Sequence, residues 1–145
     1  MTFESENFKV RELDKDDIEA VRKITYDLPW TKAMPEKEKK RYFELLWNEY
    51  LNSDYFWVIE SKTQGVVAHI TIDADSEIEA HFYIHKSMTA DLDGFGSQLL
   101  GKIVKYIKND LSFDNLYVHL WDENDPSGRI YEEAGYEIDD GAVML

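Results

Sequence analysis

The stretch Asn124-Asp125-Pro126-Ser127-Gly128-Arg129-Ile130-Tyr131-Glu132-Glu133-Ala134-Gly135-Tyr136 decides how this chain is read. Asp125 is a good N-cap, and Pro126 suits the first helical position, where a missing N–H costs nothing. Gly135 supplies the left-handed residue that closes a helix. The spacing therefore predicts a short helix with Tyr131 at its middle. Ser127 and Tyr131, four residues apart, project from one face of it, and Asn124 immediately precedes the cap. The alternating run Leu116-Tyr117-Val118-His119-Leu120-Trp121 comes just before, so the order is strand, polar turn, helix carrying a tyrosine.

A second turn lies upstream. Gly94-Phe95-Gly96 opens an amphipathic helix expected over Ser97–Ile107. Glycines allow backbone N–H groups to approach an anion closely, and a helix start favours negative charge. Asp91 and Asp93 oppose this, each by about 1 kcal/mol at 4 Å in water.

Outward from these two turns the chain alternates elements. Phe8–Arg11 reads as a strand. Leu13–Asp17 then caps a helix with Ile18, Val21, Ile24 and Leu28 on one side, which Pro29 ends. Pro35 starts a second helix with Phe43, Leu46, Trp47 and Tyr50 at helical spacing. Tyr55–Ile59, a turn at Lys62–Gly65 and Val66–Ile72 read as a hairpin. In Ile78–His85 the apolar residues occupy even positions, leaving Glu79, His81, Tyr83 and His85 on the opposite face. Glu137-Ile138 and Gly141–Leu145 are candidate closing strands.

At 145 residues and 17.1 kDa the chain reads as one domain, 1–145. Its hydrophobic content of 43%, with 14% aromatic residues, argues for a packed core rather than disorder. Without cysteine there is no disulfide framework, thiolate metal site or cysteine nucleophile, and a cytoplasmic location is the simplest expectation. Met1–Glu6 is acidic and reads as neither a secretory signal nor a transit peptide. Thirty acidic against 16 basic residues give a net charge of −14, which disfavours nucleic acid and anionic membrane and favours cationic partners. Solubility alone would also explain that charge.

Asn124, Ser127, Tyr131 and Gly135-Tyr136, with Gly94-Phe95-Gly96 in the right order upstream, resemble the motifs of the GNAT superfamily of N-acetyltransferases. The resemblance covers most of the chain, best from about Ile78 to Tyr136. It implies the GNAT fold, an α/β (α+β mixed) arrangement with a central mixed, mostly antiparallel sheet flanked by helices. It further implies acetyl-CoA as co-substrate and no metal, with Ile84, Gly94, Phe95, Gly96, Ser97, Asn124, Ser127 and Tyr131 at the cofactor. Tyr131 takes the role of the acid that protonates the departing thiolate. The family's turn usually begins with Gln or Arg where this chain has Asp91.

Amine acetylation needs a base as well, because only about one alkyl amine in 2,500 is unprotonated at neutral pH. Glu79 and His81 lie on the strand that the family places beside the thioester, and Glu79 is slightly preferred; bound water is a third option. The bland reading of that face is simple solvation. His69, His81, His85 and His119 all fall on expected strands, but no metal-ligand spacing links them. Trp30, expected in a loop between the first two helices, is the tryptophan best placed to line an acceptor pocket. The expected reaction is acetyl transfer to a small-molecule or peptide primary amine in a ternary complex. The alternative is a non-catalytic domain of this fold that binds a ligand or a basic partner protein. A short final strand also leaves room for homodimer pairing.

Overall fold

Among the described residues of the computed structural model, 1–53 and 55–145, seven strands pair in chain order into one sheet. They are β1 (Thr2–Glu4), β2 (Phe8–Glu12), β3 (Phe56–Ser61), β4 (Gly65–Ala74), β5 (Glu79–Lys86), β6 (Asn115–His119) and β7 (Ala142–Met144). Neighbours are antiparallel except β5 and β6, which run parallel, so the sheet is mixed and mostly antiparallel, flanked by helices. β1 lies in a stretch not expected to be a strand; it pairs with β2 and sets Phe3 edge-on to Tyr106, ring centres 5.5 Å apart. Glu137-Ile138 forms no strand, and β7 alone closes the edge against β6.

Period-two alternation puts a core on each face of the sheet. Phe56 and Val58 of β3 join Val21 of α1 (Ile18–Tyr26) and Phe43, Trp47 and Tyr50 of α3 (Glu36–Leu51). Trp57 and Ile59 point the other way, into a larger core with Ala80, Phe82 and Ile84 of β5 and Leu99, Ile103 and Ile107. The helix after Gly94 begins as a π-helical turn, Gly96–Leu100, and continues as α4 (Gly101–Asn109).

Local chemistry explains most boundaries. Asp14 and Asp17 make a capping box ahead of α1, and Asp17 also accepts both terminal nitrogens of Arg11 at 2.9 Å. That guanidinium holds the Asp17 carboxyl below its ordinary value despite partial burial. Pro29 ends α1 as expected but also opens a short helix, α2 (Pro29–Lys32), so Trp30 sits on a helix and not in a loop. Pro at N1 loses no hydrogen bond, which is why one residue serves both ends.

The decisive stretch forms α5 (Gly128–Glu133), with Tyr131 inside it. It starts two residues later than expected, because Gly128 N–H bonds to the Asp125 carbonyl in a tighter i→i+3 turn. Asp125 nonetheless organises that turn, accepting from Trp121 N, Ser127 N and Ser127 Oγ at 2.9, 2.9 and 2.7 Å. At the far end Gly135 has φ +93°, Tyr136 N–H reaches the Tyr131 carbonyl and Gly135 N–H reaches that of Glu132, a complete Schellman stop. No helix among the described residues is long and apolar enough to cross a membrane.

Candidate active site

The site is an opening in the sheet. β5 and β6 pair only over Glu79↔Asn115, Ala80↔Leu116 and His81↔Tyr117. Past that point β5 stays with β4 as far as Ala68↔Lys86, while β6 stays with β7. The two strands therefore separate, and the β6-facing main-chain groups of the second half of β5 have no strand partner. A cleft of about 220 Å³ occupies the gap.

Ile84, Lys86, Val118, Ser127 and Tyr131 line its depth, and Trp30 and Trp121 stand at its mouth with ring centres 5.4 Å apart. Trp30 is held by its indole N–H, which donates to Tyr42 Oη at 3.1 Å. Tyr131 is fully buried, and its hydroxyl lies beside the Ile84 backbone and the Ser127 hydroxyl without completing a hydrogen bond to either. Burial, reinforced by the Asp125 charge, holds this phenol far above its ordinary pKa, so it remains a protonated donor. A buried O–H with no acceptor costs about 1–3 kcal/mol.

Of the other residues singled out above, Ile84, Ser127 and Tyr131 come together in the cleft, whereas Asn124 is exposed outside its lining, its N–H turned to Asp122 Oδ1. Phe95 is core, edge-on to Phe8, and its N–H is engaged by the Leu92 carbonyl. Ser97 is exposed and donates to the Gly94 carbonyl. Gly94 carries φ +88°, a backbone that asks for glycine. Gly96 is glycine for a different reason than anion approach: a Cβ there would lie 2.1 Å from the Ile130 carbonyl oxygen.

Glu79 and His81 sit where β5 is still paired to β6, outside the cleft lining. His81 Nδ1 is in contact with Asp75, which leaves Nε2 as its free nitrogen, and its ring is 5.1 Å from that of His119, a cleft residue. Tyr83 and His85, two and four residues further along the same face, do line the cleft. They also line a second cavity of about 210 Å³ on the α3 side, with Glu49, Tyr50, Thr71 and Asp73. His85 Nε2 lies 3.2 Å from Thr71 Oγ1, and its ring stacks on fully buried His69 at 4.7 Å. Burial pushes His85 down to about 4 and His69 well below its ordinary value, so both are neutral at pH 7. Lys86 is lowered by burial as well, and its Nζ donates to the Ser87 and Ala90 carbonyls at 2.9 and 2.5 Å.

Sequence reasoning passed over Tyr83, His85 and Lys86. The alternation that marked Glu79 and His81 also marked Tyr83 and His85; only the point of strand separation distinguishes the pairs. Among the described residues no cluster of His, Asp and Glu has the arrangement of a metal centre.

An unpartnered phenol therefore stands beside a strand whose edge is open. The sequence profile of the acetyltransferase (GNAT) domain matches residues 7–137. No curated protein matches the sequence. Similar solved structures include an acetyltransferase (GNAT family) from Bacillus anthracis, with TM-score 0.72 and 17% identity over 100% of this chain and 98% of that one. Spermidine N-acetyltransferase from Vibrio cholerae in complex with CoA and spermine gives TM-score 0.66 and 16% identity over 97% and 93%. An acetyltransferase from Agrobacterium tumefaciens gives 0.65 and 14% over 99% and 92%. At such identities the likeness is one of fold, whereas the profile spans nearly the whole chain. The protein belongs to the GNAT family of acyl-CoA-dependent N-acetyltransferases.

Proposed function

We propose that this protein transfers an acetyl group from acetyl-CoA to a primary amine that carries further positive charge, by direct attack in a ternary complex. The unpartnered Tyr131 hydroxyl in the opening between β5 and β6 carries the reading. Acetyl-CoA supplies an activated thioester carbonyl. In the transfer a C–N bond forms, a C–S bond breaks, the amine gives up a proton and the sulfur receives one.

Tyr131 is the donor to the departing sulfur, and Ser127 and Ile84 frame its position. Freed main-chain N–H groups of β5 are the natural partners for charge developing on the carbonyl oxygen. For the amine proton we propose His81 over Glu79. Asp75 fixes its Nδ1 side, and His119 connects it to the cleft, so one bridging water would complete the path. The acceptor's place is the α3-side cavity, which meets the reaction cleft at Tyr83 and His85. Glu49 and Asp73 favour a cation there, and among the described residues no Lys or Arg lines it. The likeness in fold to a spermidine N-acetyltransferase supports a charged amine.

Calorimetric titration with acetyl-CoA, followed by thiol release on addition of diamines, monoamines and peptide N-termini, tests the proposal. Binding with amine-dependent thiol release is expected; binding with no release from any amine would overturn it.

A further inference from the structure

The turn that opens the Gly96–Asn109 helical run already holds an anion, and the anion is the protein's own. Gly94 N–H donates to Glu133 Oε2 at 3.2 Å, across 39 residues of chain. Gly96 makes this possible: lacking a Cβ, it lets the Ile130 carbonyl of α5 press against the turn, and Glu133 follows one turn later on the same helix. Glu133 Cβ itself would be only 3.1 Å from a Cβ on Gly96. The glycine spacing thus docks α5 and brings its terminal carboxylate onto the N–H that a ligand anion at a helix start would take. Asp91 and Asp93 flank the same turn, Asp91 engaged with the Asp93 N–H. Arg129 lies 4.0 Å from Asp93 and 3.9 Å from Glu133 and is 77% exposed, while Lys86 feels the charges of Asp91 and Asp93 and Lys62 shares a cavity with both.

We infer that Glu133 is a specificity residue for the acyl donor: its carboxylate occupies the Gly94 N–H in place of the donor's pyrophosphate and must be displaced for the phosphates to seat. This rests on the reading of acetyl-CoA as the donor. A donor with the pantetheine arm but no phosphate does not meet the competition. Displacement also releases Arg129 from Glu133, and its guanidinium is then free to pair with phosphate.

The test is the dissociation constant of acetyl-CoA and of acetyl-pantetheine, by calorimetry, for the unaltered protein, Glu133→Gln and the control Glu132→Gln. Glu132 is exposed on the adjacent position and carries the same formal charge. Glu133→Gln is expected to tighten acetyl-CoA by about tenfold while leaving acetyl-pantetheine within about twofold, and Glu132→Gln to change neither by more than about twofold. Equal shifts for both ligands, or for both substitutions, would overturn the inference, as would unchanged or weaker acetyl-CoA binding to Glu133→Gln. Acetyl-pantetheine bound by every variant with acetyl-CoA bound by none overturns the inference and leaves the thioester cleft standing. If neither ligand binds any variant, the proposed function falls and the inference with it. Matching thermal melts establish that each variant is folded.

Discussion

The Ile130 carbonyl oxygen lies 2.1 Å from where a Cβ on Gly96 would sit, so the contact between α5 and the turn before α4 depends on a missing side chain. A backbone oxygen cannot rotate away, and α5 is the helix that carries Tyr131.

Gly96→Ala is therefore expected to destabilise the fold by about 3 kcal/mol, lowering the melting temperature by roughly 10 °C. Gly101 is the internal control, since a Cβ there meets nothing within 4 Å and its backbone is helical. Gly101→Ala should be neutral or stabilising by about 0.5–1 kcal/mol, from helix propensity. Thermal melts followed by circular dichroism compare them; equal melting temperatures would refute the packing argument.

Tyr131→Phe separates catalysis from stability by their opposite signs. Deleting a buried hydroxyl that has no partner should leave the stability unchanged or raise it by up to about 1 kcal/mol, so that the melting temperature does not fall. Turnover should fall about 100-fold with acetyl-CoA affinity within about twofold. Steady-state kinetics with unchanged kcat would remove Tyr131 from proton transfer.

Glu49→Gln and Asp73→Asn test the acceptor cavity. If the second charge of the amine lies there, each should raise KM for a diamine several-fold, with a smaller effect on a monoamine of similar length. The measurement is the ratio of kcat/KM values for the two amines; a ratio insensitive to both substitutions would place the acceptor elsewhere.

Stability should decline early on acidification. His85 in the folded protein is pushed by burial down to about 4, against 6.5 for an ordinary histidine, and His69 is also held neutral. Between those values the unfolded chain binds more protons, so this stability is complete above pH 6.5 and is lost as pH falls toward 4. For His85 the loss reaches at most about 3 kcal/mol. Asp17, whose carboxyl is held below its ordinary value of 3.8, contributes its own loss only at still lower pH. Melting temperatures from pH 7.5 to 5 should fall less steeply in His85→Asn than in the unaltered protein, and parallel slopes would exclude His85 as the titrating group.

The local architecture is legible along the chain. Gly135 closes α5 in the expected way, the alternation of Ala80, Phe82 and Ile84 assigns the faces of β5, and Phe43, Trp47 and Tyr50 mark the buried side of α3. Each follows from backbone preference or from a period of 2 or 3.6 residues, which neighbours along the chain suffice to express. Tertiary structure alone decided where β5 leaves β6, because hydrogen bonds between Glu79–His81 and Asn115–Tyr117 join segments far apart in the chain. That separation puts Tyr83 and His85 in the cleft while Glu79 and His81 stay on the closed part of the sheet. The docking of Glu133 on Gly94 and the approach of Trp30 to Trp121 are likewise contacts between distant segments. No periodicity encodes such contacts; they arise when the two cores pack and bring α2, α5 and the sheet into register.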